Sequence, residues 1–125
     1  MPEKGCDCKE GVTLVFACSG AADVGKVADE AARKLTADGA GKMFCLAGVG
    51  GTVEPIMETT RAAARILAID GCAADCAKSC LEQAGFTEFE HMRVTDCGFE
   101  KGSAPPTTEA VAKVADEAAG LITCC

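Results

Sequence analysis

The sequence predicts an α/β fold, with one domain built as a three-layer sandwich around a four-stranded parallel sheet of order 2-1-3-4. Three observations lead there. Four short apolar runs alternate with four segments of helical periodicity, the pattern of successive βα units. The first run, "GVTLVFAC", is almost continuously apolar, as a strand covered on both faces is. The chain of 125 residues has the length of one ordinary domain, and needs no disulfides to bury a core.

"GVTLVFAC" (Gly11 to Cys18) is the first strand, and "SG" closes it. Val24, Val27, Ala28, Ala31 and Leu35 then recur at helical spacing as far as Gly39. "GKMFCLAG" (Gly41 to Gly48) reads as the second strand; a turn at Gly50, Gly51 and Thr52 follows, and Pro55 suits the first position of a helix running to Ala64. "RILAID" (Arg65 to Asp70) is the third strand, followed by a helix that carries Cys72, Cys76 and Cys80 and ends near Gly85. "EHMRVTD" (Glu90 to Asp96) is the fourth. After the loop "GFEKGSAPPTT", Thr107 or Thr108 caps a last helix with Val111, Val114, Ala118 and Leu121 on one face.

Right-handed crossovers put helices on both faces and make the sheet Rossmann-like or flavodoxin-like. The domain is expected over residues 11–123, between a flexible cysteine-containing segment at 1–10 and a Cys-Cys tail at 124–125. "KVADEAA" stands in both the first and last helices, which suits two similar amphipathic helices packed side by side rather than a repeat array.

Composition narrows the function. A net charge of −7, no Trp, no Tyr and no basic cluster argue against nucleic acid as a partner. No apolar run approaches the roughly 20 residues that span a bilayer, so no membrane is expected. "VTLVFACSGAA" has the length of an export signal's core, but acid outweighs base before it, and a cytoplasmic location is expected instead. In a reducing compartment, ten cysteines point to metal binding or thiol chemistry before structural disulfides.

Their placement sharpens this. Cys18, Cys45, Cys72 and Cys97 each fall at or just after the end of a predicted strand, and in a parallel sheet those ends share the edge where open α/β folds bind ligands. On a regular helix Cys72 and Cys80 would be about 12 Å apart along the axis, against about 6 Å for Cys72 and Cys76. Sulfurs sharing one zinc lie within about 4.6 Å of each other, so one ion cannot take all three, and the candidate set is Cys18, Cys45, Cys72 and Cys76. Cys97 and Asp70 are possible additions. Buried cysteine is also an ordinary core residue, a description that suits Cys45 and Cys80.

Other readings are weaker. Val24 and Lys78 stand six residues after Cys18 and Cys72, where a cysteine phosphatase needs arginine. Val53 stands where a dinucleotide fingerprint needs its third glycine. His91, at the start of the fourth strand, is expected at the far end of the sheet in a structural role. Asp70, Asp75 and Asp96 suit turns and caps, or hydrogen bonds to metal ligands. Cys6, Cys8, Cys124 and Cys125 suit soft metals such as Cu(I).

The chain resembles the DGC-domain family of zinc-binding proteins, named for the tripeptide that stands here as Asp70, Gly71 and Cys72. The resemblance covers nearly the whole chain through "CSGAADVG", "KMFCLAGVGG", "IDGCAADCAK" and "VTDCGFEK". The family's four cysteines match Cys18, Cys45, Cys72 and Cys76, which implies Zn²⁺ as the cofactor. The pattern more usually has Leu where Cys97 stands. The alternative from another class is a redox, sulfur-transfer or soft-metal-handling protein in which Cys72 is the reactive thiol.

Overall fold

The structure is a computed structural model and describes residues 11–123; Cys6, Cys8, Cys124 and Cys125 lie outside the described residues. Four strands, β1 (Thr13–Ala17), β2 (Lys42–Met43), β3 (Arg65–Asp70) and β4 (Glu90–Arg93), form one parallel sheet in the order β2-β1-β3-β4. The predicted fold class and strand order are those observed. The helices are α1 (Asp23–Ala37), α2 (Leu46–Gly50), α3 (Glu54–Ala62), α4 (Cys76–Gln83) and α5 (Thr108–Ile122), with a 3-10 turn at Val94–Cys97.

Alternation along the central strands builds the three layers. Val15 and Ala17 of β1 and Leu67 and Ile69 of β3 face α1 and α5. Leu14, Phe16, Ile66 and Ala68 face the other way, onto Val49, Met57, Ala77 and Leu81 of α2, α3 and α4. The two "KVADEAA" helices pack together in the first of these cores, as expected. Thr107 caps α5, its Oγ1 accepting from the Ala110 N–H at 3.1 Å. Its buried face is Ala110, Val114, Ala115, Ala118 and Ile122, so Leu121 is exposed, contrary to the expected stripe.

Three boundaries differ from the sequence reading, and all three bear on the cysteines. The strand expected over Gly41 to Gly48 is only Lys42–Met43, because the chain turns into α2; Cys45 is therefore the N-cap of a short helix, not a strand residue. The helix expected to carry three cysteines begins at Cys76, which leaves Cys72 in the preceding turn. The fourth strand ends at Arg93, and Cys97 closes the 3-10 turn.

Phe16 is fully buried and meets Phe44 edge-on, their ring centroids 6.1 Å apart. Truncating it leaves a cavity at the centre of the α2–α3–α4 face. Phe16→Ala is expected to lower unfolding free energy by about 3–5 kcal/mol in urea denaturation.

Candidate functional site

The carboxyl edge of the sheet is organised by Asp70, which is 1% exposed. Its Oδ1 accepts from the Ala77 N–H at 2.7 Å and its Oδ2 from the Lys78 N–H at 3.1 Å. These are two of the first-turn donors of α4, which an N-cap side chain would ordinarily satisfy. The N-cap position belongs to Asp75, but that residue has φ 53° and its side chain makes no cap bond. Asp70 therefore caps the helix from the end of β3, and the turn between them is looped out.

His91 joins the same carboxylate, its Nε2 2.9 Å from Asp70 Oδ2. The expectation that His91 stands at the far end of the sheet is thereby corrected. β4 is four residues long and pairs with the last four residues of β3, with His91 opposite Ala68, one diagonal step from Asp70. Arg93, opposite Asp70, forks onto Asp75 with its Nε at 2.7 Å and its Nη2 at 2.6 Å. The Arg93 hydrogen bonds hold the Asp75 carboxyl below its ordinary value.

Asp70, Asp75 and His91 bring three ligand atoms within 4.8 Å of one another and form a possible metal-binding group. Each is already engaged. A cation there would share the Asp75 carboxylate with the guanidinium fork and the Asp70 carboxylate with two backbone donors, beside the positive charge of Arg93. The group works as a brace between β3, β4 and α4.

The sulfurs lie around this brace. Cys18 follows β1; its N–H donates to the Ile69 carbonyl, and its Sγ accepts from the Gly71 N–H at 3.3 Å. A Cβ at Gly71 would come within 2.8 Å of the α1 backbone at Val24, so only glycine lets β3 end this close to α1. Cys18, Cys45 and Cys76 line one open groove of about 1100 Å³, and Cys80 lines it with them. Met43, Phe44 and Leu46 make its floor largely apolar, and Asp29 at its rim receives Ser19 Oγ at 2.7 Å and Arg33 Nε at 2.8 Å.

Cys72 packs instead toward α1 and α5, with Lys101 Nζ 3.8 Å from its sulfur. The loop that carries Lys101 is strapped down by Asp23, whose carboxylate accepts the Gly102 and Ala104 N–H groups at 3.0 and 2.9 Å. Cys97 is 6% exposed in the same core, and burial pushes its thiol up. Among the described residues the sulfurs form no group of three within 4.8 Å. Cys80 joins the groove although the sequence reading leaves it out; the signal is its i,i+4 relation to Cys76, and what the sequence hides is that Cys72 lies before the helix and not on it.

The family model of the DGC domain matches residues 14–118. The anaerobic and virulence modulator AnvM of Pseudomonas aeruginosa is 36% identical over 88 residues, covering 70% of this chain and 67% of that protein. No solved structure matches.

Asp75 gives a pH signature. Its depressed carboxyl contributes stability that is present above the ordinary value of 3.8 and is lost as pH falls through the lower folded-state value. Asparagine tolerates the left-handed backbone at this position. In denaturation from pH 7 down to pH 2, wild type is expected to exceed Asp75→Asn in stability at neutral pH. The difference should shrink below about pH 4.

Proposed function

Because the chain belongs to the DGC-domain family, we propose that it is a cysteine-rich zinc-binding protein of the cytoplasm, with a thiolate site of Cys18, Cys45, Cys72 and Cys76 at the carboxyl edge of the sheet. The observation that carries this reading is the convergence of Cys18, Cys45 and Cys76 on one groove where β1 and β2 end. Cys72 supplies the fourth sulfur from the adjoining turn.

The donor set fits the ion. Thiolate sulfur suits a borderline-soft metal, and the carboxylates that would favour a hard cation are spent on N–H, imidazole and guanidinium partners. Four thiolates around one Zn²⁺ leave two surplus negative charges, which hydrogen-bond donors offset. Two such donors are in place: the Gly71 N–H on Cys18 and the Lys101 ammonium on Cys72. Residues with left-handed backbone flank two of the proposed ligands, Ser19 after Cys18 and Asp75 before Cys76, so these cysteines are held on backbone that only a well-determined surrounding would keep. Bound zinc would supply either a structural clamp or a Lewis acid.

A second reading rests on the Cys72–Lys101 contact. With the Lys101 ammonium 3.8 Å from its sulfur, Cys72 would serve as the reactive thiol of a redox, sulfur-transfer or soft-metal-handling protein. Both readings meet in one experiment. Native mass spectrometry of the full chain, purified anaerobically without chelator or added metal, is expected to show one zinc per chain. Cys18→Ser and Cys45→Ser should each lose it. A metal-free wild type in which Cys72 alkylates fastest would overturn the zinc reading in favour of the thiol one.

A further inference from the structure

Cys80 is the groove sulfur that the zinc site leaves unused. It stands one turn after Cys76 on α4. Residues four apart on a helix hold their Cβ atoms about 5–6 Å apart, and helical ligand pairs at this spacing share one zinc. Cys72 and Cys76 lack that relation, since the helix begins at Cys76. Cys80 also reaches across the groove: its Sγ lies 3.7 Å from the carbonyl oxygen of Leu46, the residue after Cys45. A Cβ at Gly50 would come within 3.1 Å of that sulfur, so the glycine leaves Cys80 its place. Four thiols, of Cys18, Cys45, Cys76 and Cys80, thus face one groove, while Cys72 faces Lys101 outside it.

We infer that Cys80 is an exchange ligand: a zinc or similarly soft ion held by Cys18, Cys45 and Cys76 takes its fourth sulfur either from Cys72 or from Cys80. The Cys80 form is the one open to the groove, through which the ion is loaded and handed on. This rests on the thiolate-metal reading above and adds a route to it. No electron moves in the exchange. The arriving thiol releases its proton to water as its sulfur binds, and the departing thiolate takes up a proton from water. When Cys72 is the one that leaves, its sulfur keeps the Lys101 contact.

The test is a double-mutant cycle on the full-length chain, with Cys72→Ser, Cys80→Ser and both together. Zinc affinity is read by competition with a chromophoric chelator, and the number of thiolates by the charge-transfer absorbance of the Co²⁺ form. Each single variant is expected to keep four-thiolate absorbance and to bind zinc within about tenfold of wild type. The double variant should lose one thiolate and fall at least about tenfold below the weaker single, the size of coupling that interacting residues show. A double variant that matches Cys72→Ser in both readouts shows that Cys80 is no ligand, and one that matches Cys80→Ser shows that Cys72 is none; either overturns the exchange. If Cys18→Ser and Cys45→Ser leave binding unchanged, the zinc site itself fails instead. Should the double variant not fold, alkylation mapping of Cys72→Ser decides: zinc is expected to shield Cys80, and equal labelling with and without zinc refutes the inference.

Discussion

The buried carboxylate of Asp70 is the constraint on which the carboxyl edge depends. It satisfies two backbone donors at the start of α4 from a position at the end of β3, in a place almost closed to water. Without it those donors would lose their partners, at the cost that any buried unpaired polar group carries. Because the cap comes from the preceding strand, the residues between are free to form a turn, and α4 starts at Cys76. That start fixes the helical phase. Cys76 and Cys80 face the groove, and Cys72 stays in the turn on the side of α1 and α5.

The same residue separates two kinds of chemistry at one edge. On the β4 side, Asp70, Asp75, His91 and Arg93 satisfy one another and lock strand to helix. On the β1–β2 side the groove is apolar and carries sulfur. The tripeptide Asp70, Gly71 and Cys72 joins them residue by residue: a cap, a backbone that fits against α1 and donates to Cys18, and a thiol beside Lys101.

Much of the fold was legible because βα periodicity and apolar strand runs report directly on layers and strand order. Strand ends in a parallel sheet share an edge, which points to Cys18, Cys45 and Cys72 together; the groove instead gathers Cys18 and Cys45 with Cys76 and Cys80, and Cys72 lies on the side of α1 and α5. What was not legible depends on contacts between residues distant in sequence. Local capping rules look for a side chain at the N-cap, and Asp70 lies before the turn, so the sequence predicts too early a start for α4 and a helix on which Cys80 is too far from Cys72. His91 departs from its expected place because the apolar pattern marks a strand's extent and not its register; β4 pairs with only the last four residues of β3. Cys45 left its strand because β2 yields to α2 after two residues, a change that no residue in "KMFCLAG" announces.

The central claim is that sulfur, not the Asp70, Asp75 and His91 group, holds the metal. X-ray absorption at the zinc edge of the zinc-loaded full chain tests it most directly. The account predicts a first shell of four sulfurs at about 2.3 Å. A first shell of nitrogen and oxygen at about 2.0–2.2 Å would contradict it and move the ion to the carboxylate and imidazole group.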